Sequence, residues 1–293
     1  MRKAYSVDHK SLTNMFHVEK MVAKDFPFAV EIANTMNWNM AKEDFEFNVK
    51  LEPNGCFVLL CGQERIGIAT CISYGRIGWF GNLVVNENYR EKGAGTLLVK
   101  HAIKYLESTG VTTIGLYAYE HLINFYGNLG FKKNSDFVVL KAKKAKHIEK
   151  EKQATMKKRD LPALVNFDCQ CFGASREKLL TQIVLRKGNA CFVSKENGEV
   201  NGYVAAKIYG EMAEVGPLGT SKNHGDSAVT LLRNVLARVA NLEVFMCLPA
   251  SETELLKTAF EAGFQKEFPV ARMFLGPAVA GNCVHLAESL ERG

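Results

Sequence analysis

The chain has 293 residues, 47% of them hydrophobic, with 37 basic and 31 acidic side chains for a net charge of +6. That length and apolar share predict two packed domains. No run reaches the ~18 continuous apolar residues of a membrane span, and no apolar stretch follows the charges of Met1–Lys10 as it would in a secretory leader. The reading is therefore a globular, cytoplasmic chain without a membrane partner. The charge excess is local: eight lysines fall between Lys141 and Lys158, alternating with alanine and glutamate. This predicts a solvated linker and no nucleic-acid partner. The eight cysteines include no CxxC pair. Cys56, Cys61, Cys71, Cys191 and Cys247 stand in apolar, strand-like runs, and the CxC of Cys169 and Cys171 lacks companion ligands, so ordinary core thiols and no metal site are expected.

In chain order, Phe16–Met21 reads as a strand, followed by a helix from about Lys24 to Met36 and a Phe-rich helix over Ala41–Leu51. Strands at Cys56–Cys61 and Ile66–Ser73 flank a turn at Gly62–Arg65, and a third strand runs from Ile77 to Val85. A helix starts near Gly93. On it Leu98, Ala102 and Tyr105 share one face while Lys100, Lys104 and Glu107 take the other. A strand at Thr113–Tyr117, a short helix at His121–Leu129 and a closing strand at Phe137–Leu140 complete an α+β unit with a mixed sheet.

The same pattern then recurs. Cys56-Phe57-Val58 returns as Cys191-Phe192-Val193, and at the same offset of 135 Gly67 falls on Gly202, Tyr74 on Tyr209 and Leu83 on Leu218. Gly130-Phe131 finds Gly263-Phe264 after a slip of two residues. A constant offset across turns and strands predicts a duplicated domain, divided as residues 1–145 and 154–293.

The segment with most chemical content is Arg90-Glu91-Lys92-Gly93-Ala94-Gly95-Thr96, between a strand and an amphipathic helix. Backbone N–H groups at a helix start have no internal partner and lie at the positive end of the helix dipole, so they receive a phosphate anion. Gly93 and Gly95 permit close approach, and Arg90 and Lys92 add charge. A dinucleotide fingerprint fails because Leu98 replaces the third small residue, and a P-loop fails for want of Gly-Lys-Ser/Thr.

RxxGxG is the pyrophosphate signature of GNAT-superfamily N-acetyltransferases, and the flanking Leu83–Arg90 and Phe125–Phe131 resemble the run out of that superfamily's fourth strand and its YxxxGF motif. The whole chain further resembles a two-domain subgroup, through Asn37-Trp38-Asn39, Asp168–Arg176, Gly216–Leu218 and Arg272-Met273. The resemblance implies two tandem GNAT-like domains, each a mixed, mostly antiparallel sheet flanked by helices, and acetyl-CoA as acyl donor. It places the donor along Leu83, Val84, Val85 and Arg90–Thr96, with a backbone N–H near Leu83 or Val84 on the thioester oxygen, and makes Tyr126 the general acid. Trp38 and Asn39 would line the acceptor site. Many relatives carry a carboxylate on the fourth strand as a proton acceptor; here that stretch is Trp79-Phe80-Gly81-Asn82. Glu120 and His121 stand nearby but read as exposed loop residues. Tyr119 replaces a common asparagine. In the second half the loop position reads Thr220–Asp226 with a single glycine, and Ala259 stands where Tyr126 would. Only the first half is expected to bind donor. The acceptor is read as a primary amine of a small molecule; a polypeptide amine and a CoA sensor without turnover are the alternatives, and nothing fixes the oligomeric state.

Overall fold

The computed structural model describes residues 15–149, 154–221, 225–277, 279 and 283–293. The first repeat opens with β1 (Phe16–Lys20), antiparallel to β2 (Cys56–Cys61). Between them lie α1 (Phe26–Asn34), with Pro27 in its first turn where a missing N–H costs nothing, and α2 (Lys42–Leu51), whose Asp44 carboxylate accepts the Ala41 N–H at 2.8 Å. β2, β3 (Glu64–Ser73) and β4 (Ile77–Val85) form an antiparallel meander. The β2–β3 turn is tighter than expected: Gly62, at φ +60°, and Gln63 suffice, and Glu64 pairs with Cys61. α3 (Ala94–Ser108) buries Leu98, Ala102 and Leu106 and leaves Lys100, Lys104 and Glu107 in water. β5 (Thr113–Tyr119), α4 (Ile123–Gly127) and β6 (Lys132–Ala142) follow.

The second repeat runs β7 (Ala154–Thr155), α5 (Leu161–Phe172), α6 (Glu177–Val184), β8 (Ala190–Glu196), β9 (Glu199–Tyr209), β10 (Met212–Ser221), α7 (Gly225–Arg238), β11 (Glu243–Pro249), α8 (Thr253–Glu261) and β12 (Gln265–Leu275). β13 (Cys283–Leu286) has no counterpart among the described residues of the first repeat.

The repeats do not close separate sheets. β12 lies antiparallel to β5, β6 lies antiparallel to β11, and β6 and β12 pair with each other between them. Among the described residues this makes one 13-stranded sheet in the order β1-β2-β3-β4-β5-β12-β6-β11-β10-β9-β8-β7, with β13 on β10. The closing strand expected at Phe137–Leu140 is therefore longer and differently partnered. Its side chains explain the exchange: Val138, Leu140 and Ala142 of β6 enter the core under α7, while Ala271 and Met273 of β12 enter the core under α3. A third core joins Ile77 and Trp79 of the first repeat to Leu164, Phe167 and Tyr203 of the second.

Two expectations need correction. The lysine-rich stretch is only partly a solvated linker, because Ala145 and Ile148 are buried, the Ala145 N–H donates to Leu242 O, and its carbonyl accepts from Asn241. Lys143, Lys144 and Lys146 are exposed while Ala142, Ala145 and Ile148 pack inward. Cys171 is not a free thiol but is bonded to Cys283, 112 residues away, fastening β13 to the end of α5. No described helix is long and apolar enough to cross a membrane.

Candidate active site

β4 and β5 are parallel neighbours only at Ile77↔Thr113, Gly78↔Ile114 and Trp79↔Gly115. Beyond these pairs the two strands share no ladder, so β4 from Phe80 onward offers an open edge. At the opening, Asn82 and Leu83 stand opposite the single residue Ala69 of β3, a bulge in which Asn82 takes φ +50° and donates to Thr70 Oγ1 at 3.2 Å. The bulge turns the backbone of Leu83 out of register. Val84 and Val85 resume the pairing and bury their side chains.

The edge leads to the start of α3. Gly93 caps that helix at φ +84°, a conformation that a side chain resists, and a Cβ there would meet nothing within 4 Å. A Cβ on Gly95 would touch the Phe125 ring at 3.6 Å, so a longer side chain has to turn into the space over the helix start. Ala94 is buried and Glu91 is exposed at φ +61°. Arg90 anchors the loop, its Nε donating to Val85 O at 2.9 Å, and Lys92 donates to Asn88 O at 2.7 Å. Arg90 remains exposed at the mouth and Lys92 is half-buried.

Tyr126 lies behind the edge on the α3 side, 5% exposed, among the rings of Phe80, Phe125 and Phe131. Among the described residues its hydroxyl has no hydrogen-bond partner. Burial pushes its phenol well above the ordinary tyrosine range.

The opposite face of β4 is closed by elements distant in sequence. Trp38, between α1 and α2, donates its indole N–H to Tyr119 Oη at 2.8 Å, bridging to the end of β5. Tyr119 stacks on His121 and is pushed up by burial, against the opposing effect of the Trp38 bond. Asn39 reaches Met212 of β10, Nδ2 to Sδ 4.0 Å. Glu120 and His121 are exposed. Residues Ala287–Gly293 run beneath Trp79 and Gly81. The Trp79 indole donates to Leu290 O at 3.1 Å, Tyr74 Oη donates to Arg292 O at 3.0 Å, and a Cβ on Gly81 would fall 2.4 Å from the Glu291 Cα. Sequence reasoning noted Tyr119 only as a departure at the donor contact and missed both its bond to Trp38 and this segment; the run Trp79-Phe80-Gly81-Asn82 signalled a missing side chain without saying what fills its place.

The second repeat keeps the geometry and loses the opening. β10 and β11 are parallel over Met212–Val215, and β10 then shifts register between Val215 and Leu218, at the repeat position of the β4 bulge. Its edge at Leu218–Ser221, equivalent to Leu83–Asn86, is covered by β13. Ala259 is buried in the core beneath α7. Of the loop equivalent, Lys222–His224 lie outside the described residues.

A splayed pair of parallel strands with a bulge leads to a glycine-capped helix start at the mouth, a shape that fits an extended ligand with a phosphate at one end. Residues 19–131 match the acetyltransferase (GNAT) family and residues 164–286 match the acetyltransferase (GNAT) domain. The chain belongs to the GNAT acetyltransferases as a two-domain member and is an acetyl-CoA-dependent acyltransferase. Its fold is similar to that of a "Putative Acetyltransferase" from Pyrococcus horikoshii, at 19% identity and TM-score 0.77, with 95% of this chain and 96% of that one covered. A GCN5-related N-acetyltransferase from Sphaerobacter thermophilus aligns at 16% identity and TM-score 0.66, over 92% and 98% of the two chains. No curated protein matches the chain.

Proposed function

We propose that the chain binds one acetyl-CoA along the open edge of β4 and transfers the acetyl group to a primary amine of a small molecule, by direct attack on the thioester. The observation that carries this reading is the unpaired edge of β4 beyond Trp79, with the Gly93–Thr96 helix start at one end and the unpartnered Tyr126 hydroxyl behind it. Backbone donors of Gly93–Thr96 face the pyrophosphate, the Leu83 region polarises the thioester carbonyl, and Tyr126 protonates the departing sulfur. In water a phenol of pKa ~10 gives its proton to a thiolate of pKa ~8.5 at a cost of ~2 kcal/mol. Burial raises Tyr126, but the same apolar site raises the thiol, so the gap between them, which sets the cost, changes less than either value.

A small acceptor is favoured because its side of the cleft is walled by the Trp38–Tyr119 bond, the Asn39–Met212 contact and the Ala287–Gly293 segment. Thiol release from acetyl-CoA across a panel of polyamines, amino acids and peptides tests this. Release with small amines supports it, and release with peptides alone overturns it, as does binding without turnover.

Two expected results follow from the donor site. Gly95→Glu weakens acetyl-CoA at least ~10-fold in calorimetry while the variant stays folded, because a carboxylate is forced over the anion-binding helix start; unchanged affinity would remove the loop from the site. Calorimetry on the full chain also gives a stoichiometry of one, because β13 occupies the edge that a second pantetheine arm needs. Two donors per chain would show that β13 yields.

A further inference from the structure

An attacking amine must lose a proton, and β4 carries no carboxylate at Trp79–Asn82. A lysine-like amine of pKa ~10.4 is neutral about one time in 2,500 at pH 7. The group that meets this need lies in the segment packed beneath the strand. Gly81 points away from the α3 core, onto Glu291: a Cβ on Gly81 would lie 2.4 Å from both the Cα and the Cβ of Glu291. A side chain on β4 is thus replaced, in the same volume, by one carried on the second repeat.

Glu291 is held as a functional side chain has to be. Its flanking carbonyls are fixed, Leu290 O by the Trp79 indole at 3.1 Å, Arg292 O by Tyr74 Oη at 3.0 Å and Gly293 O by Arg176 Nη1 at 2.5 Å. Its carboxylate meets Arg292 Nη1 at 2.6 Å and keeps 17% of the side chain exposed. Each neighbouring carboxylate has a partner of its own, as Glu291 has Arg292. Glu288 is fully buried between Lys207 and Arg292, Glu214 pairs with Lys207, and Asp44 caps α2.

We infer that Glu291 is the proton acceptor for the amine, a catalytic residue supplied by the second half of the chain to the site of the first. The inference rests on the acetyl-transfer reading above. The ammonium gives one proton to Glu291, directly or through a water, and Glu291 passes it to solvent. The freed nitrogen lone pair forms the C–N bond, and collapse breaks the C–S bond as Tyr126 protonates sulfur. The second nitrogen proton then restores the Tyr126 phenol, so the products are an amide, free CoA and one released proton. The groups facing Glu291 are Arg292 beside it, Asp44 on α2 and Glu214 on β10. Burial holds both Asp44 and Glu214 above the usual carboxylate range, with the Glu291 charge adding to each.

The test is the pH profile of kcat/KM for Glu291→Gln in the full chain, with spermidine, lysine and phenethylamine as probes and acetyl-CoA affinity as the folding control. Where the parent acetylates a probe, the variant is expected to lose ~30-fold or more at pH 7, to recover about tenfold per pH unit towards the amine's own pKa, and to keep acetyl-CoA affinity within twofold. A profile that superimposes on the parent's overturns the inference and leaves acetyl transfer standing. A parent that acetylates none of the amines overturns both. If the glutamine variant does not melt cooperatively, Glu291→Asp decides: retreat of the carboxylate by one methylene lowers kcat about tenfold and keeps the acidic limb, whereas an unchanged kcat overturns the assignment.

Discussion

Tyr126→Phe lowers kcat by at least ~100-fold and leaves the Kd for acetyl-CoA within about twofold. The asymmetry follows from where the hydroxyl stands. The ring already packs against Phe80, Phe125 and Phe131, and phenylalanine keeps those contacts, so neither the fold nor the donor pocket changes shape. The hydroxyl itself has no partner among the described residues, so its loss breaks no ground-state bond. It acts only when charge develops on sulfur, and a group that binds the transition state alone appears in kcat and not in affinity. General acids of this kind contribute ~10²–10⁴-fold. Steady-state turnover beside calorimetric Kd makes the comparison. A kcat within about twofold of the parent would reduce Tyr126 to a packing residue and leave the thiolate to depart unprotonated.

The donor side of the site was legible in the sequence because its determinants are local. Gly93, Gly95 and Arg90 fall within six residues of one another, and the conformation they permit at a strand-to-helix junction needs no distant partner. The α3 face was equally plain, since a 3.6-residue period names the buried side by itself. Strand pairing across the repeats was not legible, because a period of two tells which faces of Phe137–Leu140 are buried but not which strand lies beside it. Both possible neighbours of β6 offer apolar edges, and the duplicated sequence makes them alike. The Cys171–Cys283 bond was hidden by its 112-residue separation. The acceptor wall depends on contacts of the same kind: Trp38 with Tyr119, and Gly81 with Glu291. Ala-Glu-Ser-Leu-Glu-Arg-Gly at 287–293 has no periodicity to announce burial, yet Glu288 and Arg292 are among the most buried charges in the protein. Their opposite signs at i and i+4 allow it, as does Lys207 on β9.

Arg176→Ala is expected to destabilise the chain by about 3–5 kcal/mol, the usual cost of removing one partner from a buried ion pair. Arg176 and Asp168 are both fully buried. The guanidinium binds the carboxylate through two bonds, Nε to Oδ2 at 3.1 Å and Nη2 to Oδ1 at 2.6 Å, and its Nη1 holds Gly293 O at 2.5 Å. Its carbon lies 4.2 Å from the centre of the Phe172 ring, and Tyr203 donates its hydroxyl to the same carboxylate. Alanine leaves an ionised carboxylate in an apolar layer with only a phenol to face it. Lysine does little better, because one ammonium cannot reach two carboxylate oxygens and a carbonyl in the same plane. The double variant Asp168→Leu/Arg176→Met removes both charges together and should lose less than Arg176→Ala alone, since no bare charge remains. Urea titration with a constant slope measures all three differences. A single-variant loss below about 1 kcal/mol would mean that the network does not hold the segment. A loss in the expected range ties stability to chemistry, because Gly293 is one of the three points that suspend Glu291 beneath β4. At urea concentrations where Arg176→Ala is still folded, its kcat/KM for the amine should therefore fall further than its affinity for acetyl-CoA.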